Sequence, residues 1–271
     1  MWRHYDRETM RLHDYLRRLG VVPPLDAGID TLRRLHLAHR EAFLFETLTI
    51  QTGGTIRLDL DALERKFLDE GRGGYCFEQN TLFAAVLNEL GFPLVSLLGR
   101  VRRGPADRWM RTHMVLVVDI QGSPWLADVG FGAIGLIEPM PLRDGESSTQ
   151  GGFTYALRRE EGKWILSVRE AARVTDLYEF TEDPQTSGDV EVANHYTSTH
   201  PDSIFRRTLT IQRSGRAERT VLRGEILARY RDGEVAEQPV APDALRDTAR
   251  EVFGVELPAT PLVCEETKEH V

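Results

Sequence analysis

One cysteine of this chain sits in a setting suited to chemistry. In Gly71-Arg72-Gly73-Gly74-Tyr75-Cys76-Phe77-Glu78-Gln79-Asn80, the glycines permit close backbone approach and positive φ. Leu82, Phe83, Val86, Leu87 and Leu90 then recur on one helical face, which puts Cys76 at the start of a helix. Unpaired N–H groups and the helix dipole at that point favour an anionic sulfur, the form that acts as a nucleophile. The bland alternative is a small buried hydrophobe, the usual role of a free cysteine. Cys264, in Pro261-Leu262-Val263-Cys264-Glu265-Glu266, has no such setting and reads as a bystander.

A thiolate nucleophile calls for an imidazole, and the imidazole for an orienting acceptor. His113 opens the apolar run Met114-Val115-Leu116-Val117-Val118, and Asp128 follows in Trp125-Leu126-Ala127-Asp128-Val129 beyond a turn around Gln121-Gly122-Ser123-Pro124. If the two runs pair as a hairpin, His113 and Asp128 face one another within a couple of residues of register. An acid inside an apolar strand is costly unless paired, and an imidazole is a natural partner. Cys76, His113 and Asp128 thus supply nucleophile, base and orienter; the alternatives are a satisfied core histidine and a strand-end aspartate. His4, His13, His36, His39 and His270 stand in polar or amphipathic contexts and read as solvated or capping residues. The pair His36/His39 has helical spacing but no third ligand, so no metal is expected. Gly130-Phe131-Gly132-Ala133-Ile134-Gly135 fits the dinucleotide pattern G-x-G-x-x-G, but Pro139 and Pro141 follow where a helix would be required.

The elements that must position these residues change character along the chain. Four helices are expected first. One carries Leu12, Tyr15, Leu16 and Leu19, a second is capped by Asp30, a third spans 61–70, and the fourth begins near Cys76 and ends at Gly91 and Pro93. Strands are expected over 94–101, 112–120, 125–129, 153–158 and 164–170, a polar loop over 181–188, short strands over 209–212 and 220–222, and a helix over 243–253. Helices, then antiparallel strands, then a mixed unit imply an α+β fold.

The chain has 271 residues, 34 basic and 42 acidic side chains, and a formal charge of −8. That balance argues against a general nucleic-acid binder. Two cysteines allow no disulfide framework. No apolar leader or spanning segment is visible, so a cytoplasmic location is expected.

The residues resemble the arylamine N-acetyltransferase family. The resemblance rests on Arg72 to Asn80, on Thr112-His113, on Asp128-Val129-Gly130-Phe131-Gly132, and on Tyr196-Thr197-Ser198-Thr199-His200-Pro201-Asp202-Ser203-Ile204-Phe205. These motifs span residues 43 to 205 in the family's order, and the length also fits. The resemblance implies a helical bundle carrying the nucleophile (1–92), a central antiparallel β-barrel-like unit carrying the histidine and aspartate (93–200) and an α/β lid (201–271), around a core like that of thiol proteases and transglutaminases. It also implies ping-pong acetyl transfer from acetyl-CoA to an arylamine, arylhydrazine or N-hydroxyarylamine through an acetyl-cysteine at Cys76, with no tightly bound cofactor or metal. By the same resemblance Phe45, Tyr75 and Phe131 border the substrate pocket, Thr112, Gly130 and Phe205 lie near CoA, and Glu46 and Arg72 form a structural ion pair. Leu44 and Thr47 depart from the proline and asparagine usual beside Phe-Glu, which bears on the pocket wall. Arg100, Arg102 and Arg103, before His113, form a basic cluster that is a candidate for the CoA phosphates, the alternative being a solvated loop. A monomer or homodimer is expected.

Three other readings use the same residues: a polyketide-releasing aromatic amide synthase, a thiol amidase or transglutaminase-like hydrolase, and a binding protein with a vestigial triad. The intact Cys76, His113 and Asp128 weigh against the last.

Overall fold

The computed structural model describes residues 10–170 and 173–264. The N-terminal third is mainly helical: α1 Leu12–Leu19, α2 Ile29–Ala42, a two-residue strand β1 Phe45–Glu46, α3 Leu48–Gln51, α4 Leu60–Glu64 running on as a π-helical turn Arg65–Asp69, and α5 Cys76–Glu89. Gly20, at φ +66°, closes α1. α4 starts at Leu60, one residue before the expected 61, and Asp59 caps it by accepting the Ala62 N–H. The expected cap Asp30 is instead inside the first turn of α2, where its charge suits the helix N-terminus; Gly28 holds the cap position. Phe77, Leu82, Phe83, Val86 and Leu87 of α5 are fully buried, each adding roughly 1.5–3 kcal/mol of apolar burial. α5 is therefore a fixed platform for its first residue.

The middle of the chain forms eight strands: β2 Leu94–Val101, β3 Arg111–Ile120, β4 Ser123–Ala127, β5 Met140–Pro141, β6 Ser147–Gln150, β7 Phe153–Glu160, β8 Lys163–Glu170 and β9 Arg173–Phe180. They make one antiparallel, barrel-like sheet in the order β5-β4-β3-β2-β9-β8-β7-β6. β3 is buried on both faces. Met114, Leu116 and Val118 join the cluster around α5, while Val115 joins the cluster inside the sheet with Leu97, Leu126 and Tyr155. The unbroken apolar run of β3 follows from that double burial.

The last third holds α6 Ser187–Thr199, α7 Ile204–Arg207, strands β10 Thr210–Ser214, β11 Glu218–Arg223, β12 Ile226–Arg231 and β13 Glu234–Pro239, and α8 Leu245–Thr248. A five-stranded antiparallel sheet runs β1-β10-β11-β12-β13, so β1 from the helical region pairs with β10 (Phe45 opposite Gln212). Leu209, Ile211, Leu222, Leu245 and Phe253 form its core. The architecture is α+β. The expected loop over 181–188 is shorter, because Ser187 and Gly188 already belong to α6, a helix the apolar pattern does not reveal. The expected helix over 243–253 is a 3₁₀ turn, the short α8 and a π-helical turn in succession. Among the described residues no helix is long and apolar enough to cross a membrane.

Candidate active site

The segment before Cys76 is held against the strand β1 region by backbone contact. The Gly74 N–H donates to the Leu44 carbonyl and the Glu46 N–H to the Gly74 carbonyl, both at 3.2 Å. A Cβ on Gly73 would lie 1.8 Å from the Leu44 carbonyl oxygen, so that glycine serves close approach. Of the three glycines only Gly71 has positive φ, +64°, which corrects the expectation for the other two. Gln79 reinforces the contact, donating from Nε2 to Leu44 (2.8 Å) and Gly74 (3.1 Å) and accepting at Oε1 from His39 Nε2 (2.7 Å). The Tyr15 hydroxyl in turn donates to His39 Nδ1 at 2.6 Å. Glu78 Oε2 accepts the Tyr75 N–H at 3.1 Å, and its Oε1 accepts from Lys66 Nζ at 2.7 Å. Arg72 reaches Glu46 Oε1 at 2.8 Å; Lys66 stands 3.5 Å from the same oxygen.

Cys76, His113 and Asp128 converge where α5 meets the sheet, all nearly inaccessible at 3%, 2% and 1% exposure. His113 Nε2 lies 2.8 Å from Asp128 Oδ2. The carboxylate can only accept, so Nε2 carries the proton and Nδ1 is left to face the thiol. Burial alone would lower the His113 pKa; the charge and hydrogen bond of Asp128, then contact with Cys76, outweigh it and raise it to about 10. Burial would likewise raise Asp128, but His113, Asn80 and the Gly130 N–H hold it down at about 2. Cys76 Sγ lies 3.7 Å from the Thr112 carbonyl. That carbonyl is available because Thr112 is a bulge: Gly99 pairs with His113 and Arg100 with Arg111, leaving Thr112 without a rung.

Asp128 stands one residue beyond β4, not within a strand as expected. The chain leaves the sheet there, and side chains replace the ladder. His36 Nε2 accepts the Asp128 N–H at 3.1 Å, and Asn80 Oδ1 accepts the Val129 N–H at 3.1 Å. Asp128 Oδ1 accepts from Asn80 Nδ2 (3.0 Å) and from the Gly130 N–H (2.9 Å). Arg40 donates to the carbonyls of Val129 (3.3 Å) and Gly132 (2.6 Å) and to the Ser214 hydroxyl (3.0 Å). Arg219 does the same for Ala133 (2.5 Å) and Gly135 (3.3 Å). The Gly130–Gly135 segment is therefore a clamped turn with no helix behind it. A Cβ on Gly130 would lie 2.8 Å from Cys76 Cα and 2.6 Å from Asn80 Nδ2.

His36 and His39 are fully buried, which corrects their reading as solvated or capping residues. Burial, foremost, pushes their pKa values down to about 4 and about 3. His13 is exposed; His4 and His270 lie outside the described residues. No role at the site was read from sequence for His36, Arg40 or Asn80, yet signals existed. Positions 36, 39 and 40 continue the buried stripe of Leu32 and Leu35 on α2, and Asn80 sits one helical turn after Cys76 on the same face.

Phe45 and Tyr75 both pack on Phe205, with ring centroids 5.8 and 5.7 Å away. The Tyr75 hydroxyl hydrogen-bonds Asn194 of α6. Phe131 lies on the other side of the site, 5.0 Å from the His113 ring and 5.1 Å from Tyr178. Arg102 of the basic cluster is engaged by its own chain, lying 3.5 Å from Asp176, 3.6 Å from Glu179 and 4.7 Å over the Trp109 ring. Arg100 donates to the Trp109 carbonyl at 2.5 Å. Among the described residues no group of His, Cys, Asp and Glu could hold a metal ion. The Cys264 N–H donates to Gln51 Oε1 at 3.0 Å.

Comparison with known proteins gives a consistent picture. The N-acetyltransferase family profile matches residues 28–263. An arylamine N-acetyltransferase / N-hydroxyarylamine O-acetyltransferase of Salmonella typhimurium is 37% identical over 251 residues, 91% of this chain and 89% of the relative. The arylamine N-acetyltransferase of Escherichia coli is 35% identical over the same shares. Among solved structures, that of an arylamine N-acetyltransferase from M. smegmatis superposes with a TM-score of 0.87 at 33% identity, covering 96% of this chain and 98% of the other. One from Mycobacterium marinum, solved in complex with CoA, has a TM-score of 0.85 at 33% identity, covering 90% and 92%.

Proposed function

The chain belongs to the arylamine N-acetyltransferase family, and from that premise we propose that it moves an acetyl group from acetyl-CoA to an arylamine, arylhydrazine or N-hydroxyarylamine by a ping-pong route. Cys76 is the nucleophile, His113 the base and Asp128 the orienter. The observation that carries this reading is the buried His113–Asp128 pair at 2.8 Å, with Cys76 at the start of α5 beside the free face of the imidazole.

The steps follow from that geometry. The thiol proton passes to His113 Nδ1, and the imidazolium is stabilised by Asp128 through Nε2. The thiolate attacks the acetyl carbonyl of acetyl-CoA and the carbon–sulfur bond to CoA breaks. CoA leaves with the proton from Nδ1, and the acetyl group stays on Cys76 as a thioester. The amine then attacks that carbonyl, His113 takes the amine proton, and the amide departs as the proton returns to Cys76. Phe45, Tyr75 and Phe205 on one side and Phe131 on the other suit a flat apolar acceptor. The Thr112 carbonyl borders the sulfur and Gly130 the Cys76 backbone, beside which the pantetheine arm would end. The same reading keeps the three-part division at 1–92, 93–200 and 201–271, with the enzyme in the cytoplasm as a monomer or homodimer.

Incubation with acetyl-CoA alone tests the route. Intact mass rises by one acetyl group with release of CoA, and the Cys76→Ala protein shows neither. Asp128→Asn slows acetylation on the order of 10³-fold or more, because the imidazole loses its orienting acceptor. No adduct from any short acyl-CoA, or turnover by Asp128→Asn near that of the parent, would remove the proposal. Water as an effective acceptor in place of amines would favour the thiol hydrolase.

A further inference from the structure

His36 touches Asp128 but takes no part in the steps above. We propose that His36 is a positioning residue for Asp128: its neutral imidazole accepts the Asp128 N–H where the chain leaves the sheet, and so fixes where the carboxylate meets His113. The inference rests on the reading of Cys76, His113 and Asp128 as the reacting triad.

The ladder between β3 and β4 ends at Leu116 opposite Ala127. Beyond that rung the Asp128 N–H goes to His36 Nε2, 92 residues away in sequence, at 3.1 Å. The other ring nitrogen fixes the tautomer. His36 Nδ1 lies 2.8 Å from the Ile137 carbonyl, which can only accept, so Nδ1 carries the proton and Nε2 is a pure acceptor. The ring is fully buried and stands edge-on to Phe83, 5.9 Å between centroids at 88°. Around it the titratable and charged groups are Arg40 and His39 on its own helix and Asp128 from the loop. Burial first, and then the Arg40 charge, hold the ring in the neutral form that can accept.

His36 therefore spans both ends of the turn that follows the acid, taking the Asp128 N–H at one end and the Ile137 carbonyl at the other. Asn80 and the Gly130 N–H hold the carboxylate itself, whereas His36 holds the backbone from which it projects. A shift of that backbone changes the 2.8 Å bond to His113 without touching Cys76 or His113.

Two conservative variants separate positioning from mere packing. A glutamine at 36 can reach the Nε2 location with an amide oxygen and keeps an acceptor for the Asp128 N–H. An asparagine overlays the Nδ1 location and keeps only the donor to Ile137. Acetyl-Cys76 formation is followed by quenching and intact mass, alkylation of Cys76 by iodoacetamide is followed against pH, and melting temperature is recorded for each protein. We expect His36→Gln to acetylate within a few-fold of the parent. We expect His36→Asn to slow about tenfold or more, as a misplaced catalytic group does, with a displaced pH profile of Cys76 alkylation. Equal rates for the two variants, or losses that merely track melting temperature, overturn the inference. Should either variant fail to fold, ¹⁵N-histidine NMR of the parent decides: His36 must show a protonated Nδ1 and a bare Nε2, and the reverse tautomer overturns the inference. Failure of the triad reading looks different, with no acetyl adduct in the parent or normal alkylation in Asp128→Asn; it would overturn both.

Discussion

Replacing Gly130 by alanine tests whether close packing of the post-strand turn sets the position of Cys76. The added Cβ would sit 2.8 Å from Cys76 Cα and 2.9 Å from the Cys76 carbonyl oxygen. Ordinary van der Waals contact begins at 3.4 Å, so the two backbones must separate by about 0.6 Å at the first of these contacts. The nearest obstacle is Asn80 Nδ2 at 2.6 Å, held by the Met114 carbonyl and Asp128, and beside it stand backbone atoms at the head of a fully packed helix. Forced contacts of this kind cost roughly 1–3 kcal/mol, which lowers the melting temperature of a protein this size by about 2–4 °C per kcal/mol. The catalytic effect is expected to be larger in proportion. Misplacement by about 1 Å costs on the order of 10²-fold in rate, so 0.6 Å at Cys76 predicts about a ten- to hundredfold slower acetylation. The assay is single-turnover acetylation from acetyl-CoA, read by intact mass, beside thermal unfolding. Gly188→Ala is the control, since its Cβ would meet nothing nearer than Thr186 Oγ1 at 3.7 Å. Parent-like acetylation and melting in Gly130→Ala would refute the argument, whatever Gly188→Ala does.

Two further outcomes follow from the buried polar groups. Stability should peak near pH 6.5. His36 and His39 have folded pKa values lowered to about 4 and about 3, so the unfolded chain binds more protons below 6.5 and stability falls with acid. His113 is raised to about 10, so its contribution is complete below 6.5 and is lost as pH rises towards 10. Urea midpoints between pH 5 and 9 that rise or fall monotonically would contradict this, and His113→Gln should flatten the alkaline limb. Arg40→Met should destabilise by about 2–4 kcal/mol, because two buried carbonyls and the Ser214 hydroxyl lose their donor. A melting temperature within about 2 °C of the parent would show that the turn does not depend on that clamp.

What could be read from sequence tracks the range of the signal that wrote it. The start of α5 at Cys76 was legible because glycines precede it and a dense apolar stripe follows. The limits of β2 and the β3–β4 hairpin were legible because apolar runs and turn residues act within ten positions or so, though Asp128 falls one residue beyond β4. α6 was not, for Ser187–Thr199 has no apolar stripe. Its start is set by the reciprocal Thr186–Asp189 cap, and its buried face of Val190, Ala193, Asn194, Thr197 and Ser198 is mostly polar, the Thr197 and Ser198 hydroxyls being satisfied by carbonyls one turn back. The Thr-x-x-Asp spacing was a local clue to it. The partners of His36 and Arg40 lie about ninety residues away, beyond any local pattern. Only their place on the buried stripe of α2 hinted that they were not surface residues.

The arrangement has an energetic logic that singles out which residues the site depends on. Regular pairing is interrupted at two places where Cys76, His113 and Asp128 come together: at the Thr112 bulge and beyond Ala127. Each interruption frees backbone groups inside the protein. A buried group left unpaired costs about 1–3 kcal/mol, while a whole domain is stable by only about 5–15 kcal/mol. After Ala127 alone, the amides of Asp128, Val129 and Gly130 all need acceptors, and they find them in His36, Asn80 and the Asp128 carboxylate. Loss of all three would remove most of the margin. The buried polar residues of α2 and α5 are therefore what lets the chain leave its sheet at the one point where a carboxylate must reach His113. Phe45 and Tyr75 are buried in the same core, so truncating Phe45 would cost the fold roughly 3–5 kcal/mol as well. On the proposed reading, triad geometry thus depends on His36, Arg40 and Asn80, and Phe131, 5.0 Å from the His113 ring, ties the aromatic wall to it.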